Sequence, residues 1–172
     1  MDWTRSHAPD SSSGGHRPVP ASGAVSPVLL RLLPFIPHPP ARVGVYAGQG
    51  ATAAALAARG YRVVRGPESA LTGWDLAGPL EALCEAGDFR AVPPASRPRW
   101  AALAALAVAP GGRLFGAFAS GEAASGGRAP WSVTASELAT LLGASFDIER
   151  LDTSAFADPD GTPLLEAVFV RR

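Results

Sequence analysis

Apolar positions in this chain fall into short dense runs, and the spacing inside the runs changes along the sequence. Residues 1 to 24 hold only scattered apolar positions among Ser, Gly, Pro and His. That is too little to offset the entropy of ordering, and a flexible N-terminal arm is expected there. At Ser26-Pro27 a serine N-cap and a first-turn proline open VLLRLLPFI, which predicts a short helix packed on a core. PHPPAR then forces an extended connection into RVGVY, a strand rich in β-branched and aromatic residues. The next run, ATAAALAAR, is strongly helix-forming, Gly60 stands where a left-handed C-terminal cap belongs, and YRVV begins a second strand. Strand, Gly-bearing turn, helix and strand in succession make a βαβ unit with parallel strands and a right-handed crossover.

Residues 65 to 94 are broken by glycine and proline; a helix is expected over Leu80 to Ala86 and a short apolar piece over Phe89 to Val92. From Arg97 the periodicity sharpens. RPRWAALAALAVA predicts a helix, PGG its stop and turn, and RLFGAFA a buried strand. SGEAASGGRAPWS reads as a flexible loop, and Thr134 with Glu137 forms a T-x-x-E capping box for a helix ending at Gly143. SFDIERLD and PLLEAVFVRR predict two strands joined by a turn at DPDG. An alternating α/β chain that closes on two strands with no helix between them implies an open, doubly wound, mostly parallel sheet with a C-terminal antiparallel pair.

Composition narrows the partners. At 172 residues and 47% apolar content, residues 25–172 are expected to build one α/β domain around one core. The 15 basic residues, all Arg, balance 15 acidic ones, so nothing marks a nucleic-acid surface or a polybasic membrane anchor. A small-molecule partner is favoured, with the chain a monomer or weak dimer. Pro34 and Pro37 cut short the longest apolar run, Val28 to Ile36, well below a bilayer span. Cys84 is alone and cannot form an intramolecular disulfide, and the first residues lack the apolar stretch of a secretory signal, so a cytoplasmic protein is expected. His7, His16 and His38 show no metal-ligand spacing, and no metal is expected.

In such a sheet ligands bind beyond the carboxyl ends of the strands, which places the turn Tyr46-Ala47-Gly48-Gln49-Gly50 at the expected site. Its glycines let backbone approach a ligand, and the following helix N-terminus favours an anionic group. A Gly pair at such a turn can equally be structural.

Longer stretches carry a family resemblance. RVGVYAGQGATAAALAARGYRVV resembles the cofactor-binding opening of class I S-adenosylmethionine-dependent methyltransferases. AVPPASRPRWAALAALAVAPGGRLFGAFA, then APWSVTASELATLLGASFDIERLD and LLEAVFVRR, resemble the thiopurine S-methyltransferase family in particular. That resemblance implies S-adenosyl-L-methionine as cofactor and methyl transfer to a small molecule such as a thiol or related soft nucleophile. It places Tyr46, Ala47, Gly48, Gln49 and Gly50 in the cofactor loop. Trp3 and Arg5 match the family's N-terminal arm, which folds over the cofactor, and Arg97 matches an arginine near cofactor or substrate. Trp131 either packs or lines a substrate pocket. No catalytic residue is assigned.

The departures are specific. Gly44 replaces the acidic residue usual near the end of the first strand, and Tyr46 replaces a glycine. After the second strand Pro67 holds the place of the ribose-binding acid, with Glu68 one residue late. The middle looks shortened, as though a third strand were missing. Gly87-Asp88-Phe89 then matches either an adenine-contacting turn or, within EAGDFRAVPP, the family's fourth strand, with Glu85 in an acidic position; the second keeps the Pro-Pro register. These departures leave open a catalytically inactive methyltransferase fold acting as a binding or interaction module.

Overall fold

The computed structural model describes residues 17–18, 25–121 and 130–172. The expectations for the arm, including Trp3 and Arg5, and for the centre of the 120–132 loop lie outside them. Among the described residues seven strands form one sheet: β1 (Arg17–Pro18), β2 (Arg42–Val45), β3 (Arg62–Arg65), β4 (Leu80–Glu85), β5 (Val108–Ala119), β6 (Phe146–Ala157) and β7 (Pro163–Arg171). Their order is β1-β6-β7-β5-β4-β2-β3. Strands β3, β2, β4 and β5 are mutually parallel, and β7 runs antiparallel between β5 and β6. The fold is thus the expected open, doubly wound sheet with its antiparallel C-terminal pair.

Strand side chains alternate between faces, so neighbours such as Leu114 and Phe115 enter separate cores. Helices α1 (Pro27–Leu32) and α2 (Gly50–Ala57) cover one face, burying Leu29, Leu32 and Leu56 with Val43, Val45 and Phe115. Helices α3 (Arg97–Ala107) and α4 (Ala135–Leu142) cover the other, burying Trp100, Ala104 and Leu138 with Leu83, Leu114 and Phe169. Gly60 turns the chain after α2 at a φ of +86°, open to glycine at little cost. At α4 the Thr134 side chain accepts from the Glu137 N–H at 3.1 Å.

Two expectations are corrected. Leu80 to Ala86 is no helix: Leu80–Glu85 is β4, hydrogen-bonded to β2 on one side and β5 on the other. Leu, Ala and Glu are good helix formers, but a strand between two partners satisfies its backbone on both edges, and that outweighs propensity. The Pro110-Gly111-Gly112 segment is likewise no turn ahead of the strand. Val108 already pairs with Leu80 and Arg113 with Ala82, so residues 109–112 loop out within β5. Gly87-Asp88-Phe89 therefore follows the strand between β2 and β5, and of EAGDFRAVPP only Glu85 belongs to that strand, with Asp88–Ala91 forming a 3-10 turn.

Between β3 and β4, residues 66–79 cross over without a helix, and β3 is the sheet's outer strand on that side. Trp74 from this crossing lies against β2 and β3. A Cβ on Gly66 would stand 2.3 Å from its ring, and one on Gly44 would stand 2.4 Å from Leu80 Cδ1 and 3.0 Å from the Trp74 ring. The missing acid at position 44 thus has a packing cause.

Candidate active site

Strands β2, β4 and β5 all point their carboxyl ends the same way, and a cleft of about 520 Å³ opens there. Its walls are the β2–α2 turn from Gly48 to Thr52, the end of β4 at Glu85 to Gly87, Phe89 and Arg90, the end of β5 at Ala117 to Ala119, Ser26 and Leu29 at the start of α1, and Asp158, Pro159 and Leu164 at the β6–β7 hairpin. Its volume falls in the range of small-molecule sites.

The turn after β2 is pinned from outside. Ala47 N–H donates to Pro67 O at 3.2 Å, Ala47 O accepts from Arg65 Nη2 at 3.0 Å, and Gln49 N–H closes onto Tyr46 O at 3.0 Å. Gly48 and Gly50 are exposed, and a Cβ on either would meet nothing within 4 Å. Neither has a positive φ. Neither tight packing nor a left-handed backbone accounts for these glycines, and both line the cleft. Tyr46 differs from its expected role: it is 1% exposed, its ring 5.3 Å from that of Trp74, and it belongs to the core beneath the turn. Burial, and next the charge of Glu85, push its phenol well above the ordinary range.

Glu68 and Asp88 come together in a smaller hollow of about 180 Å³, with Ser69, Ala70, Leu71, Ala91 and Val92. Glu68 is exposed there. Asp88 is raised above the usual carboxylate range by burial, with the Gln49 amide pulling it back, and its Oδ2 has no hydrogen-bond partner. The two acids thus flank the main cleft on the β3 side. Phe89 is 2% exposed and serves both as cleft wall and as core, edge-on to Trp100 at 4.7 Å and to Phe118 at 5.4 Å.

Arg97 is not among the cleft's lining residues. It is 2% exposed, pairs with Glu137, donates to Ser132 O at 2.9 Å and lies 4.9 Å over the Phe89 ring. Its place is structural, joining α3, α4 and the segment before α4. Trp131 is half-buried and donates its backbone N–H to Arg90 O at 2.9 Å. Arg90 itself reaches the hairpin, pairing with Asp158 at 2.6 Å and Asp160 at 2.9 Å.

Sequence reasoning left Glu85 off the site, although it ends β4 at the cleft and is fully buried. Its Oε1 accepts from the N–H groups of Gly87 at 2.7 Å and Phe89 at 2.9 Å, while Oε2 has no partner. Burial, and secondly the charge of Asp88, raise its pKa from 4.5 to about 8. Between those limits the folded protein keeps a proton that the unfolded chain has lost, so this group makes stability fall as pH rises from about 4.5 to about 8. Glu85→Gln should flatten that slope in urea titrations repeated across the range; an unchanged slope would show that Glu85 ionises freely in the fold.

Comparison with known proteins agrees at the level of fold. No protein-family model matches the sequence, and no curated protein matches it. Among solved structures, the chain is similar to a TehB-like S-adenosylmethionine-dependent methyltransferase from Corynebacterium glutamicum, with a TM-score of 0.63 and 15% identity over 84% of this chain and 88% of that one. It is similar to 1,6-didemethyltoxoflavin-N1-methyltransferase from Burkholderia thailandensis, solved with its namesake ligand and S-adenosylhomocysteine, at 0.62 and 19% over 84% and 75%. A methyltransferase from Methanosarcina mazei gives 0.61 and 13% over 86% and 97%. The sheet order, the helices on both faces and the antiparallel closing strands give this chain the Rossmann-like fold of the S-adenosylmethionine-dependent methyltransferases.

Proposed function

We propose that the chain is an S-adenosylmethionine-dependent methyltransferase acting on a small molecule, with a thiol or similar soft nucleophile as acceptor. The observation that carries this is the Gly48-Gln49-Gly50 turn, bare and unpacked at the edge of a cleft beyond the carboxyl ends of the parallel strands, where ligands of such sheets bind. The residues fit the cofactor: the turn and the first turn of α2 would receive its amino-acid portion, while Glu68, Asp88 and Gln49 offer acceptors and an amide to its ribose and base. Bound, it supplies an already activated methyl group. The chain's part is then to align donor and acceptor and to keep water out. Phe89, Phe118 and Leu164 supply the apolar wall, and the Arg90–Asp158 pair closes the hairpin side. A thiolate acceptor requires no dedicated base. The thiol preference draws on the C-terminal resemblance alone, and Trp131, beside Arg90, would border the acceptor.

Calorimetric titration with S-adenosylhomocysteine tests the reading, and saturable one-to-one binding is expected. Gly48→Val should weaken that binding at least about tenfold, equivalent to roughly 1.4 kcal/mol, while the melting temperature stays close to wild type because its side chain projects into open space. A variant that melts early and binds normally would return the glycine to a purely structural role.

A further inference from the structure

We propose that Glu85 senses the charge on the methyl donor's sulfur, ionising when the cleft holds a sulfonium and recovering its proton when the sulfur is a neutral thioether. The inference rests on the methyltransferase reading and deepens it. Three observations carry it.

The first is position. β4 lies between β2, which bears the Gly48 turn, and β5, whose end lines the far wall with the hairpin. A donor anchored at the turn reaches the far wall only across β4, and that strand ends in Glu85. The second is an unfinished hydrogen-bond set. Oε1 is tied to two backbone N–H groups, whereas the buried Oε2 has no partner.

The third is charge. Among the described residues no cation pairs with Glu85. The titratable groups whose charges act with it are Tyr46 from β2, Cys84 beside it on β4 with its side chain on the opposite face, and Asp88 from the following turn. Across the cleft are Arg90 and Asp158, and Arg90 is already shared by Asp158 and Asp160. Tyr46 and Cys84 are both held above their usual ranges by burial and stay neutral near pH 7, and Asp88 adds only repulsion. The site is therefore one positive charge short. In so dry a setting a ligand cation is the natural counter-charge, and its arrival expels the proton by linkage.

The test is calorimetric titration of the full chain with S-adenosylmethionine and with S-adenosylhomocysteine, from pH 6.0 to 7.5, below the range of a free α-amino group at about 7.7–8.0. Each titration is run in two buffers of different ionisation enthalpy. Expected for S-adenosylmethionine is release of close to one proton and an affinity that rises roughly 25-fold across the window. S-adenosylhomocysteine should release none and bind evenly across it, and Glu85→Gln should remove the difference. Equal proton release by both ligands would assign the effect to the ammonium they share and overturn the proposal. So would pH-independent binding of S-adenosylmethionine, or a pH dependence that survives in Glu85→Gln. The wild-type comparison stands even if that variant fails to fold. Failure of both ligands to bind at any pH overturns the methyltransferase reading and this inference together, whereas binding without the difference removes the inference alone.

Discussion

Gly116→Ala is expected to cost about 3–5 kcal/mol of folding stability, an unusually large penalty for adding one methyl group. Gly116 on β5 lies opposite Glu85 on β4, and a Cβ there would stand 2.0 Å from the Glu85 carbonyl oxygen and 2.8 Å from the carbonyl carbon. Both are backbone atoms, so no rotamer change relieves the clash. β4 has no room to step aside, because β2 holds its other edge. Urea unfolding should show a lower midpoint with an unchanged slope, and Gly48→Ala, whose added carbon meets nothing within 4 Å, is the matched control. A loss under about 1 kcal/mol at position 116 would mean that the two strands run farther apart here than described, since a clash with fixed backbone has no cheap remedy.

The Arg97–Glu137 pair should respond asymmetrically. Arg97 is 2% exposed, whereas the Glu137 side chain is 40% exposed. Removing the outer partner by Glu137→Ala strands a guanidinium in the core, and the cost is expected to be about 2–3 kcal/mol, below the usual penalty for a broken buried pair because water reaches the Glu137 side. Arg97→Met removes the buried charge itself, and with it an Nε that has no partner, while keeping an unbranched stem over Phe89. Its cost should stay within about 1 kcal/mol. A double-mutant cycle read by urea unfolding separates the terms. Arg97→Met proving the worse of the two would show that the guanidinium's bond to Ser132 O and its stacking on Phe89 outweigh its desolvation.

Local signals were readable wherever a local rule governs the backbone. Thr134 as N-cap, Gly60 after the Ala-rich run, and the DPDG turn each act within a few residues, and the structure has them in those roles, while the Glu137 side chain pairs with Arg97 instead of completing the capping box. β4 was not readable in this way. Leu80, Leu83 and Glu81 sit at spacings that suit a helix, and the deciding partners, Val43 to Val45 and Arg113 to Gly116, lie far away in sequence. Glu85 was noticed only as an acidic position within EAGDFRAVPP, because its burial and its place at the cleft depend on the same distant strand partners. Arg97 shows the limit differently. Its guanidinium looks available for a ligand until Glu137 is seen to hold it, and across a separation of 40 residues nothing signals the pairing. The glycine turn was legible as a place, but its freedom from packing and from positive φ is known only from the coordinates.

The placement of β7 between β5 and β6 bears on how the chain is made. A strand that enters the sheet between two earlier ones leaves both with unpaired edges until it has been synthesised. During that interval Leu114 to Ala119 presents an open row of backbone donors and acceptors on one of the most apolar strands of the protein, the kind of surface that joins strand to strand between nascent chains. Once Leu164 to Val170 takes its place, the vulnerable edge disappears from the finished molecule. Slowing translation just before β7 should therefore raise the aggregated fraction far more than an equal pause before β5.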